Sequence, residues 1–350
     1  MTRTTNYAQV LAKIGAERSK LLNETKIKNL TESKSLIEFT TQLRDTAYHE
    51  QIAKMPLPLT SRNLERAFHE NLIATTVKII KNSPKRAAEF LLMYLYKFEI
   101  ENVKAIIKST NAKLSTEQKL ARIYFSAEDY LKNRAVIEEA AKVQTIKQVV
   151  NALKRTKYAL ALSMGLQSYE DDGSTACLDV LLDKLFHEEL CKSYESLPKK
   201  EKHYAYFYAS MENDSFVLLT LLRGKNLNYD SNWLRLAVPP SNFKIYVETV
   251  EEIVTSVDFD SAFKVALESY YSEFFLRVQN PEETVADAER AFKKAVLDHA
   301  RTSIISENFS IGGSLAFLTQ EESEVHNLTA ISSGVEAEVK PEEIQRRLLL

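Results

Sequence analysis

The chain has 350 residues, of which 45% are hydrophobic and 27% are charged, and its formal net charge is −2. This length allows two or three domains with a large buried core, and the composition is that of a soluble globular protein. Glycine is rare, with 7 residues where average usage gives about 25. A chain this poor in turn formers and this rich in Leu, Ala, Glu and Lys is predicted to be all-helical.

Phosphate-binding and catalytic motifs are missing from the sequence. It contains neither G-x-x-x-x-G-K-[ST] nor G-x-G-x-x-G, the glycine loops that bring backbone N–H groups onto phosphates. The acidic segment EDDGSTACLD at 170–179 lacks the D-D-x-x-D spacing with which helical enzymes hold magnesium diphosphate, and neither G-x-S-x-G nor H-E-x-x-H occurs. The sequence therefore predicts a protein that is not an enzyme and binds no cofactor.

The first third of the chain combines helical periodicity with a basic segment. Apolar residues recur at intervals of three and four in SLIEFTTQLRDTAY at 35–48, as in an amphipathic helix. KNSPKR then places Lys81, Lys85 and Arg86 around a proline, and FEIENVKAII contains an acid, two residues and an asparagine, Glu99 and Asn102. Positions three apart lie on one helix face, so Glu99 and Asn102 can meet the same partner.

The middle third repeats both helical segments. TIKQVVNALKRTKY at 145–158 shares a Leu, a Thr and a Tyr with the earlier segment at a constant offset of 110 residues. ENDSFVLLTLLRG places Asp214 and Val217 at the acid and asparagine positions, so that valine replaces the asparagine. Pro239 and Pro240 then stop the helical pattern, since proline ends a helix and forces extended backbone before it.

Two cysteines lie in the middle third with a histidine between them. Cys177, His187 and Cys191 have the spacing C-x₉-H-x₃-C, which puts the last two on one helix face, as metal ligands are. No fourth ligand lies nearby, so a polar histidine beside a half-buried thiol is the preferred interpretation and no metal site is predicted. Two cysteines are also too few for a disulfide framework and indicate a reducing compartment.

The last third carries the acid-x-x-Asn motif once more. SEVHNLTAIS at 323–332 contains Glu324 and Asn327. TVEEIVTSVDFDSA at 249–262 is a fainter copy of the tyrosine-containing segment, with Val257 at the leucine position but neither Thr nor Tyr. Such internal similarity at a fixed period indicates a repeat architecture.

The repeats predict three superposable helical domains, at 1–126, 127–240 and 241–350. Each domain is expected to be a small bundle of amphipathic helices. A buried asparagine must satisfy its amide, and capping a neighbouring helix end is the usual solution. The motif is therefore interpreted first as a device for helix packing, with direct contact to a partner as the alternative.

Charge is unevenly distributed along the chain. Residues 1–122 contain 21 Lys and Arg against 12 Asp and Glu, whereas residues 239–350 contain 10 against 20. The two ends are either differently solvated surfaces or surfaces that meet partners of opposite potential. Lys81, Lys85 and Arg86 are the candidate interface residues of the basic end. Aromatic residues do not alternate with the basic ones as a stacking platform requires, so nucleic acid is not predicted as a partner.

Targeting and membrane-spanning signals are missing as well. The N-terminal segment MTRTTNYAQVLAKIGAERSKLL has no apolar core of the signal-peptide type. The longest apolar runs, such as FVLLTLL at 216–222, fall far short of the ~20 residues that span a bilayer. The chain is therefore predicted to be soluble, with docking on a membrane complex left open.

Three units of acid-x-x-Asn-aliphatic-x-x-aliphatic, each followed by a small polar segment with a carboxylate, resemble the C subunit of the A-type ATP synthases and bacterial V-type ATPases. That family is homologous to the d subunit of the eukaryotic V-type enzyme. The opening YAQVLAKIGAERSKLL and the closing EVHNLTAISSGVEAEVKPEEIQRRL resemble the family's first helix and last motif. Val217, and Ser109-Thr110 in place of Gly-Lys, depart from the family pattern.

The resemblance implies a funnel-shaped, non-catalytic member of the central stalk, with three helical domains around a pseudo-threefold axis. Such a protein seats the central shaft, of D- and F-type subunits, on the membrane proteolipid ring and passes torque between them at the cytoplasmic face of the membrane. The stator membrane subunit is a further candidate partner. The alternative is a helical-repeat adaptor that binds another protein or RNA, although solenoid repeats of 20–50 residues are shorter than units of ~110.

Overall fold

A computed structural model describes residues 3–276 and 281–350, and within these ranges the chain contains 19 α-helices, one 3₁₀ helix and no strand. This confirms the predicted all-α class. The first helices are α1 (Arg3–Arg18), α2 (Glu24–Leu30), α3 (Leu36–Gln42), α4 (His49–Ile52), α5 (Ser61–Asn82) and α6 (Lys85–Asn111). The next are α7 (Thr116–Leu120), α8 (Phe125–Leu131), α9 (Arg134–Lys142), α10 (Ile146–Ala152), α11 (Ala159–Asp172), α12 (Ala176–Ser196) and α13 (Lys199–Asn226). The last are α14 (Ser231–Ala237), α15 (Val247–Thr255), α16 (Phe259–Glu268), the 3₁₀ turn Ser272–Phe274, α17 (Pro281–Ser306), α18 (Ile311–Glu336) and α19 (Pro341–Gln345).

Side-chain caps begin several of the short helices. Ser35 Oγ accepts a hydrogen bond from the backbone N–H of Glu38 at the start of α3, and Ser115 Oγ accepts one from Gln118 at the start of α7. In α7 and in α10 the third helical residue also bonds back to the N–H of the cap, which completes a capping box. Each cap satisfies a donor that the first turn leaves unpaired, a contribution of about 1 kcal/mol.

The long helices α6, α13 and α18 end alike. Just beyond each of them a residue adopts a left-handed backbone conformation: Lys113 (φ 56°), Asn228 (φ 58°) and Glu338 (φ 54°). The N–H of the next residue then bonds to the carbonyl oxygen five positions earlier, at 2.9–3.0 Å in all three copies. This ending satisfies a free helix carbonyl. It gives α7, α14 and α19 the same connection to the preceding long helix.

A small residue near the end of each of these long helices allows the following short helix to pack closely against it. A Cβ on Gly334 would lie 2.6 Å from Ile344 Cδ1 of α19, and a Cβ on Gly224 would lie even closer to Leu234 of α14. The first copy has Ser109 at this position, and its short helix presents Lys119 in place of an aliphatic residue. Lys119 is buried, and its ammonium donates to the carbonyl oxygen of Val143 at the end of α9. The departure at Ser109 is therefore accompanied by a change in the packing partner.

A short turn with a buried tyrosine recurs three times and is called the tyrosine turn below. In the copy at Leu43–Tyr48, Thr46 Oγ1 donates to the carbonyl oxygen of Leu43 at 2.6 Å and accepts from the N–H of Tyr48 at 3.4 Å. Leu153–Tyr158 makes both bonds again. So does Ala266–Tyr271, where the hydroxyl belongs to Ser269.

The position of the third tyrosine turn corrects the sequence alignment. The alignment placed the third copy at 249–262 with Val257 at the leucine position, but Val257 is 94% exposed, whereas Leu43 and Leu153 are fully buried. The true copy lies further along, with Ala266 at the leucine position and Ser in place of Thr. Alanine in place of leucine and serine in place of threonine still allow both hydrogen bonds. The turn conformation is therefore kept although the sequence match is lost.

The chain divides into two compact units. One comprises Met1–Leu91, Lys199–Ala205 and Lys293–Leu350, and the other comprises Leu92–Pro198 and Tyr206–Phe292. These boundaries do not test the division into three domains at 126 and 240, which stays a prediction.

The first unit is organised around two long helices. In it α18 packs along α5 and also contacts α1, α2 and α3. Phe39, Tyr48 and Phe68 form an edge-to-face aromatic cluster in its core, with ring centroids 5.3–6.3 Å apart. Such pairs add about 0.5–1.5 kcal/mol to the burial of their area.

In the second unit α11 packs on α12, and α15 on α16. Each is a pair of consecutive helices joined by a short connection, as in an αα-hairpin. Over the ranges that the structure describes, none of the helices combines the length and the apolarity that crossing a bilayer requires.

Candidate functional site

The motif residues of α18 make hydrogen bonds with three other segments of the first unit. Glu324 is 5% exposed, and its two oxygens accept hydrogen bonds from the Tyr48 hydroxyl at 2.7 Å and from the backbone N–H of Leu22 at 2.5 Å. Asn327 Oδ1 accepts from the N–H of Leu349 at 2.7 Å, while its Nδ2 donates to the carbonyl oxygen of the same residue at 2.8 Å. The two side chains thus join α18 to the first tyrosine turn, to the segment after α1 and to the segment after α19.

A second buried carboxyl group lies one turn before Glu324. Glu321 is 3% exposed, and together with Glu17 and Glu324 it lines a cavity of about 10 Å³. Burial raises the pKa of Glu324 to about 7 and the pKa of Glu321 well above its usual value. Glu17 instead pairs with Lys78 and Lys20. The two carboxyl groups on α18 therefore take up protons at a higher pH than an exposed glutamate does.

The first copy of the acid, Glu99 on α6, is buried in the second unit. It accepts a hydrogen bond from Asn133 Nδ2 at 2.5 Å and pairs with the Lys157 ammonium at 2.7 Å. Tyr158 of the second tyrosine turn lies beside it, and burial together with the Glu99 charge raises the pKa of that phenol. A cation, an amide and a phenol therefore surround a carboxylate that is only 1% exposed.

The first copy of the asparagine makes the same backbone contact as the last. Asn102 Oδ1 accepts from the N–H of Tyr124 at 2.7 Å, and its Nδ2 faces the carbonyl oxygen of Tyr124 at 3.3 Å. The same Nδ2 donates to Glu128 Oε1 at 2.7 Å. Burial raises the pKa of Glu128 to about 7. Asn102 thus fixes the start of α8 against α6.

The second copy of the acid has the fullest set of donors. Asp214 Oδ1 accepts from the N–H of Phe243 at 3.0 Å, and Oδ2 accepts from the N–H of Lys244 at 2.7 Å and from the Tyr271 hydroxyl at 3.0 Å. Tyr271 belongs to the third tyrosine turn. Sequence reasoning missed this residue, and the pattern Ser-x-Tyr is the signal that could have found it.

The absence of an asparagine at Val217 has a local reason. Asn102 and Asn327 each bind the backbone of the residue 22 positions further on. The residue 22 positions after Val217 is Pro239, which has no N–H to donate. A fully buried valine therefore fills this place without leaving a donor unpaired.

These contacts decide what the motif does chemically. In each copy the acid lies next to the buried tyrosine of a tyrosine turn and accepts hydrogen bonds from groups outside its own helix. Hydrogen bonds to charged acceptors are worth about 1.5–3 kcal/mol, and losing one partner of a buried pair costs more than the pair contributes. The five polar motif residues join their helices to other segments of the chain, and all six motif residues, Val217 included, are buried.

The cysteine and histidine residues of α12 are packed among apolar side chains. His187 is 6% exposed, its ring stacks on Phe216 at a centroid distance of 4.0 Å, and burial lowers its pKa to about 3. Cys191 Sγ donates to Asn213 Oδ1 at 3.5 Å. Within the described ranges no group of three or more His, Cys, Asp or Glu is arranged to hold a metal ion.

The candidate interface residues flank the turn between α5 and α6, Lys81 at the end of α5 and the other two at the start of α6. Lys81, Lys85 and Arg86 are all exposed, and Arg86 pairs with Glu89 at 3.0 Å. Their role in binding a partner stays a prediction. Other lysines of the basic third are already in ion pairs with acids of the middle third: Lys97 with Glu212, Lys104 with Asp183 and Lys108 with Asp179. The excess positive charge is thus concentrated in fewer places than the sequence suggests.

The repeated helices and inward-facing polar motifs define an all-helical repeat protein whose signature residues serve packing. The chain belongs to the ATP synthase (C/AC39) subunit family, whose family model matches residues 10–347. This confirms the family resemblance of the motifs. By its family, the protein is an accessory subunit of an ATP synthase complex and not the catalytic part of it.

Similar proteins cover almost the whole chain. The C subunit of the A-type ATP synthase of Methanocaldococcus jannaschii is 26% identical over 349 residues, covering 98% of this chain and 86% of that protein. The protein of the same name from Pyrococcus abyssi is 26% identical over 349 residues, with 97% and 90% covered, and that from Thermococcus kodakarensis is 24% identical over 355 residues, with 96% and 89% covered.

Proposed function

We propose that the protein is the central-stalk subunit of a rotary A/V-type ATP synthase or ATPase, which seats the rotor shaft on the membrane proteolipid ring and transmits torque between ion translocation and ATP chemistry. The observation that carries this proposal is the family match over residues 10–347, together with the similarity to C subunits of A-type ATP synthases along nearly their full length.

The internal construction of the chain supports a mechanical role. A body that passes torque must resist bending, and long helices with few glycines have little backbone freedom to lose. The buried carboxylates Glu324, Glu99 and Asp214 each tie a long helix to elements distant in sequence. Because a buried acid that loses its donors is costly, such ties resist separation of the helices they join.

The proposed partners are the central shaft subunits of D and F type and the proteolipid ring, with the stator membrane subunit as a further candidate. The proposed location is the cytoplasmic face of the membrane, as a peripheral protein. Three domains at 1–126, 127–240 and 241–350, arranged as a funnel around a pseudo-threefold axis, are part of this proposal. Neither a cofactor nor nucleic acid has a place in it.

Affinity capture tests the proposal. The tagged full-length chain is co-expressed with the shaft and ring subunits of the same source and purified in detergent, and we expect both to be retained. A matched control lacks this chain, and the shaft should then no longer co-purify with the ring. Retention of unrelated proteins or of RNA, with neither shaft nor ring, would instead favour the adaptor hypothesis.

A functional assay distinguishes a subunit that transmits torque from one that only binds to the complex. In reconstituted vesicles the complete complex should couple ATP hydrolysis to ion movement. The complex without this chain should still hydrolyse ATP, but no ion gradient should form. A gradient of unchanged size without the chain would contradict the proposed transmission of torque.

A further inference from the structure

Three helix turns lie together at one end of α18 in the first unit. Glu201 Oε2, near the start of α13, accepts a hydrogen bond from the N–H of Ile311, the first residue of α18, at 3.0 Å. Residues 199–205 belong to the same compact unit as α5 and α18. The start of α13 is therefore in contact with the turn between α17 and α18.

The turn between α5 and α6 lies at the same end. Asn71 of α5 faces Glu321 of α18, and Ser61 of α5 bonds to Glu336, so the two helices run antiparallel. Ten residues separate Asn71 from Lys81, and ten separate Glu321 from Ile311, which is about 15 Å of helix in both cases. Lys81 is therefore level with the start of α18.

These turns expose several basic and apolar residues, and we call this set the turn face. Its members are Lys81, Lys85, Arg86, Lys199, Lys200, Ile305 and Phe309, with Ile305 69% and Phe309 41% exposed. Three acids lie nearby: Glu89 pairs with Arg86, Glu201 accepts a hydrogen bond from the first N–H of α18, and Glu307 is packed against Gly312. The turn face is therefore positively charged around exposed apolar side chains.

We propose that the turn face binds an anionic lipid surface directly. Lysines near a negatively charged membrane contribute additively, and apolar residues among them enter the boundary between headgroups and acyl chains. The composition favours lipid over an acidic protein, because four of the five basic residues are lysines. Protein interfaces are enriched in arginine and depleted of lysine. The proposal adds lipid to the partners of the proposed function and takes from that function only the location at a membrane.

Vesicle co-sedimentation of the purified full-length chain tests the proposal. We expect binding to phosphatidylcholine vesicles that contain one third phosphatidylglycerol, no binding to pure phosphatidylcholine, and release at high salt. Charge reversal in Lys81→Glu/Lys85→Glu/Arg86→Glu should weaken binding at least about 100-fold, from about 1 kcal/mol per basic residue. Lys199→Glu/Lys200→Glu and Ile305→Ser should each weaken it as well.

A matched control uses three basic residues elsewhere in the first unit. Lys28, Lys34 and Arg44 are also exposed, so Lys28→Glu/Lys34→Glu/Arg44→Glu makes the same change in net charge. Equal loss of binding in this control, or no binding of the wild type to anionic vesicles, would overturn the proposal.

Affinity capture in detergent distinguishes the two proposals from each other. If the turn-face variant retains shaft and ring in detergent but not anionic vesicles, the face binds lipid. If it loses shaft or ring in detergent, the face is a protein interface and the lipid proposal is wrong, while the proposed function stands. Circular dichroism of each variant shows whether its fold is intact.

Discussion

Replacing Asn327 by alanine tests whether the motif acts through packing. The side chain satisfies both the N–H and the carbonyl oxygen of Leu349, and all of these groups are buried. Each buried backbone group left without a partner costs about 1–3 kcal/mol. Local rearrangement recovers part of this cost, so about 1–1.5 kcal/mol applies to each of the two groups of Leu349. We expect Asn327→Ala to reduce the free energy of unfolding by about 2–3 kcal/mol.

Asn102→Ala should have at least as large an effect, because Glu128 also loses a donor in addition to the backbone of Tyr124. The two asparagines lie in different compact units and share no hydrogen-bond partner among the contacts described, so the double variant should lose about the sum of the single losses. Asn226→Ala is a suitable control, because Asn226 is exposed at the end of α13. A surface change of this kind stays within about 0.5 kcal/mol.

The assay is urea denaturation followed by circular dichroism at the helix band, with capture of shaft and ring measured on the same preparations. Lower unfolding midpoints with normal capture of folded protein would support packing. If both alanine variants kept the wild-type midpoint but no longer captured the partners, these asparagines would belong to an interface and the packing role would be refuted.

Three further predictions concern other buried positions. The pKa of Glu324 lies at about 7 in the folded chain against 4.5 in a model peptide. Between these two pH values the folded chain binds more protons than the unfolded chain. The free energy of unfolding should therefore fall by up to about 3 kcal/mol as the pH rises from 4.5 to 7. Urea midpoints across this range should fall less steeply in Glu324→Gln, and an equal slope would refute the assignment. Val217→Asn should lower the free energy of unfolding, measured with urea, by about 1–3 kcal/mol, because by the 22-residue spacing its amide oxygen would meet Pro239, which has no N–H to donate. An unchanged midpoint would show that the new amide finds another partner. Gly334→Ala should cost about 1–3 kcal/mol in thermal melting through contact with Ile344, whereas Gly15→Ala, which meets no atom within 4 Å, should not destabilise the chain.

The fold class and much of the repeat could be predicted from the sequence. Scarce glycine predicted an all-α chain because helices are the regular structure that least needs it. The three motif copies also share one spacing to the end of their helix, where Lys113, Asn228 and Glu338 all adopt the left-handed conformation. Local hydrogen bonding fixes these features, and local patterns therefore reveal them.

The partners of the motif acids could not be predicted. Tyr48 and Glu324 are 276 residues apart, and nothing in either segment specifies the other. The third tyrosine turn was placed wrongly because two of its three marker residues differ, and its distance from the second copy is 113 residues and not 110. Serine can make the same two hydrogen bonds as threonine, so a comparison of residue identities does not detect this conserved contact.

Val217 shows how a departure from a motif can itself carry structural information. In the two other copies an asparagine satisfies the N–H of the residue 22 positions later, and this N–H would be orphaned without it. Proline at 239 removes the donor, so the polar side chain is no longer needed and a buried amide there would be costly. Valine at 217 thus accompanies proline at 239, which favours a backbone contact over contact with a partner's surface as the role of the motif. An interface role would give no reason for valine to accompany proline.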